Sequence, residues 1–420
     1  MRSHRTALSQ ALVLVILLLC GAGLPGIFGD TARPTVAAPK RTPTPTPTRT
    51  PIPTPTIVPT PTTTPMPPCN GAWNVVPSPN GPNYNQLTDV AVITANDIWA
   101  VGTANFKTLI LHWDGAAWSI IPSPSPGSVY NYLNGVAAVS ADDVWAVGYY
   151  DDETLILHWD GAAWSVVPSP NPNPSFNVLS DVAAISTNDA WAVGYSSSAT
   201  LTMHWDGTAW QIVSSPNPGT TNNFLYGVTA RASNDVWAVG RRASSGSYPG
   251  TLTMRWDGIR WNVVASPNQV SASGQPVTNE LHAVSLAAAN DVWAVGTSGA
   301  QTLTLHWNSS SWSVTSSPNV PYRQNFLNGV VALAANNVWA VGYAQTVVTD
   351  PTGEYEQYFP DTLTMHWNGV SWNIVASPNP SPVDYNILNG IAAAAPDDVW
   401  AVGYYQDSSF ETLIERFRCR

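Results

Sequence analysis

The stretch LNGVAAVSADDVWAVGYYDDETLILHWDGAAWSVVP, Leu133–Pro168, contains four short apolar runs separated by turn residues. The runs are Leu133–Ser140, Val144–Tyr149, Thr154–Trp159 and Trp164–Pro168. They are rich in Val, Ile, Leu and Trp, which suit pleated strands. Asp142-Asp143 and Asp160-Gly161 supply turn chemistry, and Asp-Gly between apolar runs predicts a type I′ hairpin. Trp145 and Val147 alternate with Val144 and Ala146, so both faces of the second strand are apolar. Such a sheet needs a neighbour on each side. No run is long enough for a helix.

The same unit recurs. Seven tryptophans stand in [DN]-[VIA]-W-A-V-G: Trp99, Trp145, Trp191, Trp237, Trp293, Trp339 and Trp400. Six follow in W-[DN] at Trp113, Trp159, Trp205, Trp256, Trp307 and Trp367. Seven close the unit at Trp73, Trp118, Trp164, Trp210, Trp261, Trp312 and Trp372, which accounts for all 20. The W-A-V-G spacings are 46, 46, 46, 56, 46 and 61 residues. A period of 46 matches one four-stranded blade, so the fold class expected is an all-β, seven-bladed propeller of four antiparallel strands per blade.

The ends of the array complement each other. Trp73–Pro77 is an orphan fourth strand, and the last unit stops after its third strand, Thr412–Phe417. The N-terminal strand is therefore expected to complete the seventh blade and close the ring, which removes exposed edges. Of the three cysteines, Cys20 lies in the leader, while Cys69 and Cys419 fall at the third hairpin of blade seven. In an exported chain those two are expected to form a disulfide across the gap.

These repeats resemble seven-bladed propellers of the WD-repeat, kelch and Asp-box kind, and most of all uncharacterised secreted bacterial propellers with W-A-V-G and H-W-[DN]-G-x-x-W repeats. The likeness covers residues 69–420. Trp113-Asp114 is similar to the dipeptide of WD repeats, without their opening glycine-histidine. Asp114–Trp118 sits where sialidase-like propellers carry Asp-boxes, but its Asp and Gly are adjacent. The resemblance implies a fold rather than an activity.

Residues 1–29 read as a signal peptide or N-terminal membrane anchor. Arg2, His4 and Arg5 precede an apolar Ala11–Leu19 and the small Gly21-Ala22-Gly23. Uncleaved, Ala11–Phe28 reaches the length of a membrane span. Leu17–Cys20 resembles a lipoprotein signal, although Leu19 stands where a small residue is usual. Residues 30–68 form a Thr/Pro-rich linker, expected to be disordered and extended, with hydroxyls open to O-glycosylation. At ~3.1 Å per residue it would hold a domain roughly 100 Å from an anchor. The protein is thus expected at the cell surface or outside the cell, with membrane contact only through this N-terminal segment, and as a monomer.

Charge narrows the partners. The chain carries a formal −11, yet residues 69–420 hold ten of the 16 basic and 26 of the 27 acidic residues, about −16. That balance repels phosphate backbones and argues against nucleic acid. It is compatible with neutral polysaccharide, basic partners or Ca²⁺; no other cofactor is expected.

No catalytic set emerges: G-x-S-x-G, H-E-x-x-H and phosphate-loop motifs are absent, and the Arg needed by a sialidase are sparse. His112, His158, His204, His306 and His366, with Arg255 in the same place in blade four, lie on separate blades. A structural hydrogen bond is expected of them rather than a metal site. Asn85, Asn131, Asn177, Asn223, Asn279, Asn325 and Asn386 each precede a W-A-V-G Trp by 14 residues. They could ring the channel mouth or tie down the loop entering each blade.

Calling the strands of a blade a to d from the axis outwards, the b–c and d–a loops share one face. Length variation is confined to that face. The first-to-second Trp distance is 14 in blades one, two, three and five, but 19 in blade four and 28 in blade six. The longest insertion, Thr346–Asp361, carries Tyr355, Tyr358 and Phe359 as stacking groups and Asp350, Glu354 and Glu356 as acceptors. The binding face is expected there, centred on blades four to six. The function expected is a recognition or scaffold module that binds glycan or protein; the alternatives are a propeller-type glycoside hydrolase or lyase and a structural surface-layer component.

Overall fold

The computed structural model describes residues 71–349, 356–382 and 384–419. The leader, the Thr/Pro linker, Cys69, Asp350, Glu354 and Tyr355 lie outside the described residues. The described chain forms seven four-stranded antiparallel sheets and no helix. In blade two the strands are Asn131–Ser140, Asp143–Tyr150, Glu153–Trp159 and Trp164–Val166, so strand a starts two residues before the apolar run. Blade seven is assembled from both ends. Strand d, Gly71–Val75, pairs with strand c, Phe410–Cys419, in the register Trp73↔Phe417 and Val75↔Glu415.

The tryptophan lattice is the glue between blades. Each W-A-V-G Trp packs on the second and third Trp of the next blade, with Phe417 standing for the second Trp in blade seven. Trp145, for example, lies 5.0 Å from Trp205 and 5.3 Å from Trp210, the latter edge-on at 85°. The pattern closes the circle. Trp339 meets Phe417 at 4.5 Å and Trp73 at 5.6 Å, and Trp400 meets Trp113 at 5.2 Å and Trp118 at 5.7 Å. Such aromatic pairs contribute about 0.5–1.5 kcal/mol each beyond their burial. The glycine of W-A-V-G has a steric reason. A Cβ on Gly148 would stand 1.9 Å from the Tyr132 carbonyl, because strand a bulges between Leu133 and Gly135.

Polar side chains at that bulge staple one blade to the next around the axis. Thr88, Asn134, His282 and Asn328 donate to the carbonyls of Leu133, Leu179, Leu327 and Leu388 at 2.7–2.9 Å. Asn389 donates to Leu87 at 2.8 Å and closes the belt between blades seven and one. Between blades three and four, Asp181 accepts from the Val228 amide at 2.8 Å. Between blades four and five the staple is the Arg241–Glu280 ion pair, 2.6 Å long.

Two expectations are corrected. The Asp-Gly element is not a two-residue type I′ turn. Trp159 pairs with Trp164, leaving a four-residue loop in which Asp160 Oδ1 accepts from the Ala162 and Ala163 amides at 2.9 Å. Only the glycine has positive φ, 89° at Gly161. The Asp side chain, by capping its own loop, removes the need for a second left-handed residue. Nor is the Thr346–Asp361 insertion a loop throughout. Strands b and c of blade six lengthen to Asn337–Thr349 and Glu356–Trp367, paired from Val338↔Trp367 out to Thr349↔Glu356. The β-branched Thr346, Val347, Val348 and Thr349 extend the ladder.

Candidate ligand-binding face

The b–c and d–a loops interlock on one face through backbone hydrogen bonds. The Asn131 amide donates to Phe106 O at 3.0 Å and Asp151 N to Tyr130 O at 3.0 Å, with equivalents such as Ser197 to Phe176 and Gln406 to Tyr385. The seven asparagines at the start of strand a are buried, and their amides hold the d–a loop. Asn131 Oδ1 accepts from Gly127 N at 2.7 Å while Nδ2 donates to Gly127 O at 3.1 Å. Asn85 pairs likewise with Gly81, Asn177 with Asn173, Asn223 with Gly219, Asn279 with Gln269, Asn325 with Val320 and Asn386 with Ser381. Of the two roles open to them, the geometry is that of a loop clamp.

The opposite face is built from repeated pairs. Nε2 of His112, His158, His204 and His306 donates to Asp97, Asp143, Asp189 and Asp291 at 2.8–2.9 Å, as a structural hydrogen bond requires. Each ring also packs on its blade's W-A-V-G indole at 4.3–4.6 Å. Arg255 and Arg416 take the seat in blades four and seven, with Asp235 and Asp398 as partners. In blade six His366 meets the neutral Asn337, and burial without a carboxylate drives its pKa down to about 4. Among the described residues no three His, Cys, Asp or Glu side chains converge as a metal site.

The long hairpin separates its predicted residues. Tyr358 and Phe359 are adjacent in one strand, so they face opposite sides of the sheet. Tyr358 is exposed and donates to Glu356 at 2.5 Å, an interaction that raises the phenol pKa. Phe359 is half-buried and turns to a depression of about 280 Å³ lined also by Arg323, Asp361, Pro382 and Asp384. Arg323 pairs with Asp361 there. Among the described residues no partner reaches the Asp384 carboxylate, although its amide donates to Ser381 Oγ at 3.1 Å.

Sequence reasoning missed the main aromatic feature. Eight half-buried or exposed rings run in one contact chain over blades two, one and seven. Tyr149, Tyr132 and Tyr130 follow at 5.1 and 6.2 Å, Phe106 at 5.8 Å, Tyr84 at 6.2 Å and Phe410 at 4.9 Å, where Tyr385 and Tyr404 join at 5.8 and 5.5 Å. A second run, Tyr195–Phe224–Tyr226–His282, spans blades three to five. Arg241 lies 5.1 Å over Phe224, and its Nε is buried without a partner. Burial pushes the Tyr132 and Tyr343 phenols up to about 12 and raises those of Tyr149, Tyr226 and Tyr404 as well. Their hydroxyls therefore stay protonated and able to donate. The signal in the sequence is the tyrosine after the W-A-V-G glycine at Tyr149, Tyr195, Tyr343 and Tyr404.

The aromatic residues with positive φ all fall on the same face. Tyr84, Phe106, Phe176 and Tyr322 have φ of 50°, 63°, 68° and 61°. Left-handed backbone is unfavourable for bulky residues and costs about 1–3 kcal/mol each. Tyr322 is fully exposed, and Phe176, Tyr130, Tyr248 and Tyr358 are exposed on this face.

No protein-family model and no curated protein matches the chain. Solved structures do match. YCF48 bound to a D1 peptide is similar over 83% of this chain and 97% of its own, at 16% identity and a TM-score of 0.52. YCF48 from Cyanidioschyzon merolae is similar over 83% and 98%, at 16% and 0.51. U3-55K is similar over 83% and 98%, at 11% and 0.54. At these identities the likeness shows a shared propeller fold.

Proposed function

We propose that the protein is an exported, surface-held recognition module that binds a partner through its b–c/d–a face. The observation that carries this reading is the concentration of exposed aromatic rings on that one face, two of them, Phe176 and Tyr322, on strained left-handed backbone. Strain of this kind persists where the surrounding structure enforces it and marks candidate functional sites. Exposed aromatics are favoured interface anchors. A polypeptide ligand is placed ahead of a glycan because the propeller is typical of protein-binding scaffolds and because YCF48, on a similar ring, was solved with a peptide. The leader would export the chain, and the Thr/Pro segment would hold the ring away from its anchor.

The test is a peptide array and a glycan array probed with the full chain and two variants. Tyr130→Ser, Phe176→Asn and Tyr322→Asn together remove three rings while placing asparagine, which tolerates left-handed backbone, at the strained sites. Ile259→Ser with Val370→Ser changes the opposite face, where both side chains are exposed. Binding is expected to be lost in the first variant and kept in the second. The reverse pattern would refute the assignment of the face.

A further inference from the structure

The depression between blades six and seven and the aromatic chain of blades seven, one and two share a border. Asp384 lines the depression and is followed by Tyr385, whose ring lies 5.8 Å from Phe410. The depression has an aromatic wall in Phe359, an apolar wall in Pro382 and, in Asp384, a carboxylate without a partner among the described residues. Among the described residues its one cation is Arg323, which Asp361 already neutralises. The ring as a whole carries about −16.

We infer that this depression captures the lysine or arginine side chain of a partner polypeptide, whose flanking apolar residues lie along the aromatic chain. The inference rests on the reading that this face binds a polypeptide, and it adds the chemistry of the contact. Lysine and arginine carry a cation at the end of an apolar stem. The stem matches Phe359 and Pro382, the cation matches Asp384, and the Phe359 ring adds cation–π attraction. An amino sugar, the competing cationic ligand, holds its amine directly on the ring and has no stem to lay between those walls. The acidic ring would steer a basic partner from a distance. Beyond the depression, Phe410, Tyr84, Phe106 and Tyr130 continue the surface without a charged group among their ring contacts. That surface suits proline or aliphatic side chains, which dock on aromatic-lined grooves.

The experiment uses fluorescence anisotropy with the full chain and three labelled probes: a short synthetic polyproline peptide with one central lysine, the same peptide with norleucine in its place, and a chitosan oligomer. The lysine peptide is expected to bind at least about tenfold more tightly than the norleucine peptide, a difference of one charge contact. Asp384→Asn should abolish that preference and leave the norleucine peptide unaffected. Tyr130→Ser should weaken both peptides. Rising salt should weaken only the lysine peptide. Equal binding of the two peptides, both weakened by Tyr130→Ser, would overturn the cation pocket and leave the face assignment standing. Peptide binding indifferent to both substitutions would overturn both readings. Failure of the lysine peptide to bind, or binding of chitosan in its stead, would also overturn the inference.

Discussion

Glu415 occupies a seat in strand c that is Leu111, Leu157, Met203, Met254, Leu305 and Met365 in the other six blades. It is fully buried, and neither carboxyl oxygen has a hydrogen-bond partner. It lies under the closing strand, paired in register with Val75 on one side and Ala401 on the other. Burial raises its pKa from 4.5 to about 8. The folded state therefore holds this proton more tightly than the unfolded chain, and the stability it allows is fully present below the unfolded pKa. Stability falls as pH rises from about 4.5 and levels off above about 8. At ~1.4 kcal/mol per unit, the loss is about 2.5 kcal/mol between pH 5 and 7 and about 4 kcal/mol between pH 5 and 9. Glu415→Met restores the apolar seat and should remove that slope. Glu415→Gln should remove the slope as well but keep an unpartnered polar group, so it gains less. Urea unfolding of the wild type and both variants at pH 5, 7 and 9 measures it, and the wild-type-minus-variant difference cancels every other titrating group. If that difference stayed constant with pH, Glu415 would not be a buried neutral acid and the argument would fail.

Three further outcomes are expected. Trp339→Ala should destabilise the ring by about 3–5 kcal/mol, because it empties the seat shared by Phe417 and Trp73 at the closure, read as a lower urea midpoint. Asn131→Ala should cost about 1–3 kcal/mol, since it leaves the Gly127 amide and carbonyl without their clamp, read by the same titration together with faster amide exchange at Gly127. Cys69→Ser and Cys419→Ser should each cost about 2–4 kcal/mol if the two cysteines form the expected disulfide. Two titratable thiols in the folded wild type under oxidising conditions would refute that pairing.

The fold was legible because its core is periodic. Six of the seven blade interfaces use three tryptophans at equivalent positions, and the seventh puts Phe417 in one of those seats, so the pattern that buries Trp145 against Trp205 and Trp210 recurs around the whole ring. Even the closure could be read, because Trp73 and Phe417 are fragments of the same pattern. Strand ends were less legible, because hydrogen bonding and not apolarity decides them. Asn131 opens strand a although it is polar, and its amide clamps the preceding loop. The blade-six hairpin looked like a loop because Asp350, Pro351 and Gly353 interrupt its apolar character. The ladder nevertheless runs to Thr349 on one side and from Glu356 on the other.

The candidate binding face was legible only in part, for a physical reason. Insertion length marks a face, but it does not show which side chains meet there. Tyr84 and Phe106 sit in loops of blade one, whereas Phe410 opens strand c of blade seven more than 300 residues away. They touch because blade seven is closed by both chain ends, which brings the b–c loop of the last blade beside the d–a loop of the first. The longest aromatic chain thus crosses the one junction that a repeat-by-repeat reading treats as an edge. The junction also tolerates departures from the repeat: Phe417 for Trp, Glu415 for Leu or Met, and Arg416 for His. Blade seven must accept a strand from a distant part of the chain, and its seats are filled from both ends. A variant that weakens this blade should therefore disturb the aromatic chain before it disturbs blades three to five. Glu415 ionisation above about pH 8 supplies that perturbation without mutation. Ligand binding through blades seven, one and two should then weaken with alkaline pH in the wild type and not in Glu415→Met. An identical pH profile in the two proteins would separate the closure from the binding face.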